Sequence, residues 1–310
     1  MKRTPIQLVA SAAGAVVLLA GLTWAADASP LTHHQTPESS HTSANAAPKH
    51  RDEPLVAAYE KVSQNTTWTL TKTIPSSWIP DGIVYEQEGL KVYQGRIYIT
   101  VFDHTDNNGH LVVLDQQTGK LIKDINFVDG DRTHAGGLSV NGDYAYVPLA
   151  VDSPNSSADI LRINIHTFQV ENLFTVDYDH VGGVTYMPST HHIIGQSWDS
   201  RTFYEWTLSG KIVKKWNNPS DYVGYQDCQY VVYNKLLCSG ATLGATTIGG
   251  FDLLDMSDPE HAILNGVPNV HGGNAAEILA SPVAGGTQLT MYNTGSANAL
   301  TEYTTVIPNS

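Results

Sequence analysis

Two histidines occupy the same point of an internal repeat. His134 begins the motif HAGGL, and His180 begins the motif HVGGV. The same frame places Glu86, Gln226 and Asn274 in register with them, at intervals of 48, 46, 46 and 48 residues along the chain. We call these five the register residues. Imidazole, carboxylate and amide groups that converge on one point can bind a divalent metal or transfer protons.

Three kinds of chemistry fit these residue types, and a fourth interpretation needs none. One divalent metal, Mn²⁺, Ca²⁺ or Zn²⁺, would be held by Glu86, His134, His180 and Gln226. The histidines could instead act as general acid or base, or paired carboxylates could hydrolyse a glycoside. Alternatively, the register residues hydrogen-bond to neighbouring repeats or ordered water and serve the architecture alone. The candidate catalytic residues are His134, His180, Glu88, Asp227 and Glu277.

A second group of candidates falls in loops that the repeat predicts at the same end of the molecule. These loops carry carboxylates, an imidazole, two guanidinium groups and aromatic rings, which suit the binding of a polar ligand. Arg132 or Arg201 is predicted to clamp a substrate carboxylate, and Trp198 either stacks on a sugar ring or packs within the fold. The candidate substrate-binding residues are Asp103, His104, Arg132, Trp198, Arg201 and Tyr225.

Short β-strands separated by turn residues must position these side chains. The first repeat contains four predicted strands: Leu90–Tyr93, Arg96–Phe102, Leu111–Leu114 and Leu121–Phe127. Four strands at a period of about 47 residues are typical of a propeller blade. The last repeat supplies three strands, and Thr67–Ile74 is predicted to add the fourth and close the ring. The sequence therefore predicts an all-β, five-bladed β-propeller over residues 66–310. Six blades are the alternative, if residues 53–85 form another blade.

The N-terminal residues predict export. A basic start, Lys2 and Arg3, precedes an apolar run over 6–26, and Ala26-Asp27-Ala28 fits a cleavage site, so residues 1–28 are predicted as a signal peptide. A membrane anchor is the alternative, because the run approaches the roughly 20 residues that span a bilayer. Residues 29–65 are predicted as a disordered linker with a short helix within 53–64. We expect a secreted or periplasmic protein.

The two cysteines, Cys228 and Cys238, flank a predicted tight hairpin. An oxidising compartment would allow a disulfide across that hairpin, and two buried thiols are the alternative. The spacing does not fit a zinc site, because a metal-binding pair of cysteines is usually separated by two residues.

The charge of the chain limits its partners. A formal net charge of −13 disfavours nucleic acid and anionic membrane surfaces. We expect a small-molecule or oligosaccharide ligand, no membrane contact after signal cleavage, and a monomer. The sequence contains no GxSxG nucleophile elbow and no P-loop, which excludes the common forms of those two sites.

The motifs HAGGLSV, HVGGVTY, FDHTDNNGHLVVLD and YVGYQDCQYV resemble an uncharacterised family of secreted propellers of bacteria and fungi, over roughly residues 66–306. More distantly, the layout is similar to propeller enzymes of the gluconolactonase and oligogalacturonate-lyase types. The latter resemblance implies that His134, His180 and Gln226 surround a Mn²⁺-like metal. A third histidine ligand has no counterpart in register, where Glu86 and Asn274 stand instead.

These patterns predict a secreted propeller enzyme, of lyase, lactonase or hydrolase type, that acts on a carbohydrate or sugar-acid derivative at the mouth of the central channel. The alternative is a non-catalytic module that binds glycans or a protein. Such modules tend to repeat one pocket in every blade, whereas the register residues differ in chemistry from blade to blade. That unevenness favours one asymmetric site.

Overall fold

A computed structural model of the chain describes residues 53–220, 224–241, 249–268, 275–294 and 299–309. The predicted signal peptide and most of the predicted linker lie outside the described residues, as does Asn274. The described residues all belong to one compact unit of the chain. It contains one helix and 21 strands, with the following bounds: α1 (Glu53–Tyr59), β1 (Thr69–Ile74), β2 (Tyr85–Tyr93), β3 (Arg96–Asp103), β4 (Asn108–Asp115), β5 (Leu121–Phe127), β6 (Arg132–Ala135), β7 (Ser139–Asn141), β8 (Tyr144–Val151), β9 (Ala158–Asn164), β10 (Val170–Val176), β11 (Gly183–Met187), β12 (His192–Gln196), β13 (Thr202–Thr207), β14 (Ile212–Asn217), β15 (Tyr225–Val231), β16 (Lys235–Ala241), β17 (Gly249–Asp255), β18 (Ile263–Pro268), β19 (Ala276–Val283), β20 (Gly286–Thr294) and β21 (Leu300–Pro308).

The strands form five antiparallel sheets, the blades of a five-bladed β-propeller. Blade 1 is β2–β5, blade 2 is β6–β10, blade 3 is β11–β14 and blade 4 is β15–β18. In blade 2 the inner position is shared by two short strands, because both β6 and β7 pair with β8. The predicted five-bladed fold is confirmed, and the six-bladed alternative is wrong.

The ring closes between its first and last strands. Blade 5 is β19–β21 with β1 as its outer strand, and Ile74 of β1 pairs with Leu300 of β21. The predicted closure by the N-terminal strand is therefore confirmed. Pairing β1 with β21 gives the outer edge of the last blade its hydrogen-bond partners and covers the edge of β21.

Helix α1 lies in the segment predicted as a linker with a short helix, and it packs on blades 4 and 5. Leu55 and Tyr59 are buried in a cluster with Ile278 and Leu289 of blade 5. The Nδ2 of Asn265, on β18, donates a hydrogen bond to the carbonyl of Tyr59 at 2.9 Å. The packed part of the chain thus includes residues before β1.

The predicted disulfide is confirmed. Cys228 of β15 and Cys238 of β16 face each other across the hairpin and are bonded to each other. Within the described ranges, no helix is long and apolar enough to cross a membrane.

Glycines let the innermost strands meet at the axis. The N–H of Gly137 donates to the carbonyl of Gly182 at 2.9 Å, and the N–H of Val184 donates to the carbonyl of Gly137 at 3.0 Å. A Cβ added to Gly137 would lie 2.1 Å from the carbonyl oxygen of Gln226, which is closer than two non-bonded heavy atoms can approach. The absence of a side chain at Gly137 therefore allows this close backbone approach.

The variant Gly137→Ala should lower the free energy of unfolding by roughly 2 kcal/mol or more, because its methyl group meets backbone that cannot move aside. Gly182→Ala is the matched control, since a Cβ there would meet its nearest neighbour, the Ser197 carbonyl oxygen, at an ordinary 3.4 Å. Urea unfolding of both variants measures the difference. Equal stability of the two variants would show that the glycine contact does not constrain the ring.

Candidate functional site

The end of strand β8 holds both histidines of the repeated motif. His134 lies on β6 and pairs with Ala150 of β8. The Nδ1 of His180, which precedes β11, hydrogen-bonds to the carbonyl of Val151, the last residue of β8, at 2.8 Å. Since a carbonyl only accepts, Nδ1 carries the proton and Nε2 presents its lone pair. The two imidazole rings are 5.6 Å apart between centroids.

Glu88 reaches the histidines through a β-bulge. In β2, Gln87 pairs with Val101 and Gly89 with Thr100, so Glu88 is the extra residue between them. An extra residue bends the strand and turns its side chain away from the regular alternation. Gln226 is the extra residue at the corresponding part of β15, between Tyr225 and Asp227. Simple alternation along a strand predicts the direction of neither side chain.

His134 lies between a buried and an exposed carboxyl group. Its Nε2 is 3.9 Å from Oε1 of Glu88, whose side chain is 4 % exposed. Its Nδ1 is 3.6 Å from Oδ1 of Asp152, whose side chain is 48 % exposed. The imidazole itself is 15 % exposed and packs on the ring of Phe102 at 5.1 Å. His134 therefore lies between the buried carboxyl group of Glu88 and the exposed carboxyl group of Asp152.

Burial sets the protonation of this group. Loss of water raises the pKa of Glu88 well above its ordinary value, and the nearby charges of Glu86 and Asp152 add to the effect. Loss of water also lowers the pKa of His134, against the attraction of Asp152 and Glu86, and it lowers the pKa of His180 to about 4. Burial thus favours the uncharged form of the Glu88 carboxyl group and of both imidazoles.

Aromatic rings border the histidine pair. Trp198 lies 4.6 Å from His180 and 6.5 Å from His134 between ring centroids, and it is 42 % exposed. Phe102 packs on the other side of His134. Trp198 was a candidate from the sequence, whereas Phe102 was not. Alternation along β3 does not single out Phe102, because it does not show that the ring packs on His134.

Glu86 and His104 form a pair at the rim. The Nε2 of His104 is 2.8 Å from Oε2 of Glu86, and both side chains are about half exposed. The Glu86 carboxylate is thus engaged by a neighbour in its own blade. Among the described residues, no three His, Cys, Asp or Glu side chains are arranged to hold a metal ion. The metal set of Glu86, His134, His180 and Gln226 stays a prediction.

Two predicted catalytic carboxylates bind the backbone of strand β2. Oδ2 of Asp227 accepts hydrogen bonds from the N–H of Leu90 at 2.9 Å and from Nζ of Lys91 at 2.7 Å. Oε2 of Glu277 accepts from the N–H of Val92. The innermost strand of a blade leaves alternate N–H groups without a strand partner, and buried donors need acceptors. Asp227 and Glu277 fill that need and link blades 4 and 5 to blade 1.

Four predicted substrate-binding residues are likewise engaged within the fold. Asp103 accepts from the N–H of Thr105 at 2.7 Å, and the buried Tyr225 donates its hydroxyl to Asp252. The guanidinium of Arg132 lies 3.2 Å from Asp129 and 3.7 Å from Asp159. That of Arg201 donates to the carbonyls of Asp199 and Ser220. The structure therefore brings together Glu88, His134, His180 and Trp198, with Asp152. Other candidates bind other parts of the fold: Asp103, Arg132, Arg201, Tyr225, Asp227 and Glu277.

The stability of the protein should depend on pH through His180. Its pKa is about 4 when folded and about 6.5 when unfolded, so the unfolded chain binds the extra proton between those values. The free energy of unfolding should therefore rise by up to about 3 kcal/mol as the pH increases from 4 to 6.5. His180→Asn keeps a donor for Val151 and cannot titrate, so its pH profile should be flatter.

Chemical unfolding at a series of pH values checks this, with His166→Asn as the control. His166 is half exposed beside Asp143, and the pH profile of the His166→Asn variant should be close to that of the wild type. Parallel profiles for wild type and His180→Asn would contradict the assignment.

Comparison with known proteins leaves the activity open. No curated protein matches the chain. Similar solved structures include Kuenenia stuttgartiensis hydrazine synthase, with 12 % identity and a TM-score of 0.42 over 72 % of this chain and 63 % of that chain. The Neurospora crassa Pan2 WD40 domain has 11 % identity and a TM-score of 0.44 over 78 % and 96 % of the two chains. CoXyl43, a GH43 β-xylosidase/α-arabinofuranosidase from a compost microbial metagenome, has 9 % identity and a TM-score of 0.47 over 77 % and 95 %.

At such identities and TM-scores, nothing about the activity of this chain follows from these similarities. A family model gives the more specific result, because it covers most of the chain, from residue 49 to residue 271. The chain belongs to the family described as "Family of unknown function (DUF6454)".

Proposed function

We propose that the channel mouth is an enzyme site at which His134 and Glu88 transfer protons during the conversion of a carbohydrate or sugar derivative. The observation that carries the proposal is the position of His134, 3.9 Å from the buried acid Glu88 and 3.6 Å from the exposed carboxylate Asp152. An imidazole between a proton reservoir and solvent is the arrangement that acid–base catalysis needs.

The low polarity of the site makes this transfer easy in both directions. Burial disfavours the ionised form of Glu88 and the ionised form of His134, so the pKa of the acid rises while the pKa of the base falls. Two groups whose proton affinities approach each other exchange a proton at small cost. In this proposal His134 touches the substrate, and Glu88 is a positioning residue that acts through His134.

The aromatic surface supports a sugar as ligand. Trp198 combines an exposed apolar face with an indole N–H, and it adjoins the imidazole that leaves Nε2 free. Such amphipathic rings suit ligands with one apolar and one hydroxylated surface. The reaction types that fit are leaving-group protonation and proton abstraction, as in hydrolases, lactonases and lyases. A divalent metal at His134, His180, Glu86 and Gln226 remains a proposal for the same site.

A binding module without turnover is the second candidate. Trp198 is 42 % exposed, whereas His180 is almost completely buried, so a ligand could rest on the indole without reaching the proton-transfer groups. In that case Trp198→Ala would abolish binding, and His134→Asn would leave it unchanged.

Replacement of His134 by Asn should lower kcat by about 100-fold or more, because the group that carries the proton is gone. The assay is turnover of soluble oligosaccharides, aryl glycosides and sugar lactones, followed by reducing ends, acid release and ultraviolet absorbance, with and without added Mn²⁺, Zn²⁺ and Ca²⁺. Glu88→Gln should lower kcat as well, with less effect on KM. His166→Asn is the control and should behave as the wild type.

Turnover that persists in His134→Asn would overturn the proposal. Binding without turnover, lost in Trp198→Ala alone, would select the binding module. Activity that requires an added ion, with loss of that ion in the His134→Asn/His180→Asn double variant, would add the metal to the mechanism.

A further inference from the structure

We infer that the ligand of this site carries a cationic amino group, as an amino sugar does. The inference rests on the proposed function and specifies its substrate class. It comes from a juxtaposition at the mouth, where the exposed carboxylate of Asp152 lies 3.6 Å from His134 and the exposed indole of Trp198 lies 4.6 Å from the ring of His180.

The loops around the histidine pair are strongly acidic. The described loops and strand ends at the mouth of blades 1–3 carry eight aspartates: Asp103, Asp106, Asp129, Asp131, Asp152, Asp177, Asp179 and Asp199. Five of these are exposed, including Asp152. A concave surface lined by one sign of charge raises the local concentration of ligands of opposite charge and repels those of the same sign.

The two cations of these loops are already occupied. Arg132 is paired with Asp129 and Asp159, and Arg201 donates to two carbonyls. A substrate carboxylate would therefore have to compete with these partners for either guanidinium group. The clamp by Arg132 or Arg201 stays a prediction.

Asp152, by contrast, offers a free charge. The nearest ionisable group to it among the described residues is the His134 imidazole, whose Nδ1 lies 3.6 Å away. Burial lowers the pKa of that imidazole and so favours its neutral form. His180 is 2 % exposed, and its Nε2 has no hydrogen-bond partner in the described part of the chain. The site therefore presents an exposed carboxylate close to an aromatic face, which together match an ammonium group on a hydroxylated ring.

The Trp198 indole adds to this preference. A cation within about 6 Å of an indole face is attracted by the ring, by about 0.5–1 kcal/mol at an exposed position. A partly exposed ion pair contributes a similar amount. Together these predict a preference of about ten-fold for an aminated ligand over the same ligand without charge.

Calorimetric titration of the whole protein tests this with three oligosaccharide series: glucosamine oligomers, N-acetylglucosamine oligomers of the same length, and oligogalacturonates. The first two share a ring and differ at the nitrogen of each unit, which is a cationic amine in one series and a neutral acetamide in the other. We expect the glucosamine oligomers to bind about ten-fold more tightly at low salt, with the preference reduced by added salt. Asp152→Asn should remove the preference and leave affinity for the N-acetylated series unchanged.

Asp131→Asn is the matched control, because it removes the same charge from an exposed residue of the loop that precedes β6. It should keep most of the preference. Equal affinity for the two hexosamine series, or tighter binding of the oligogalacturonates, would overturn the amino-group inference and leave the proposed function standing. No binding of any of the three series, by a folded protein, would count against both.

Discussion

The contact on which the site depends is a backbone contact between glycines at the propeller axis. Gly137 exchanges hydrogen bonds with the segment Gly182–Val184, and its missing side chain makes room for the carbonyl of Gln226. Gly137 follows His134 by three residues, and Gly182 follows His180 by two. The approach that draws blades 2, 3 and 4 together therefore also fixes the distance between the two imidazoles. Any side chain at Gly137 would push the blades and the histidines apart.

Crowding at the axis also determines the chemistry. With backbone packed beneath them, Glu88, His134 and His180 lose most of their water, and each is driven toward its uncharged form. Asp152 and Trp198 stand at the edge of the same group and keep contact with solvent. The result is a steep change in polarity over a few ångströms, from a neutral acid to an ionised carboxylate, with one imidazole between them. Asp227 and Glu277 fit the alternative in which polar residues serve the architecture, because they accept hydrogen bonds from N–H groups of the inner strand β2.

The features that repeat along the chain could be predicted, and those that depend on one local irregularity could not. The period of 46 to 48 residues indicates blades, and the three-stranded last repeat indicates closure by β1, because a sheet edge needs a partner. The hairpin around Cys228 and Cys238 predicts their disulfide. The bulge that turns Glu88 toward His134 has no signature in the alternation of the strand. The partners of Arg132 and Arg201 are also hidden, since a guanidinium reaches several neighbours and only the fold decides which of them are close.

The central claim is that burial keeps Glu88 protonated beside a neutral His134. Infrared difference spectroscopy between wild type and Glu88→Gln, followed upward from pH 4, measures the protonated carboxyl group directly. The account predicts a carbonyl band of a carboxylic acid that is absent from the variant and persists after the exposed carboxyl groups have ionised. A band that disappears together with those of the exposed carboxyl groups, near their ordinary pKa, would show that Glu88 is ionised and would contradict the account.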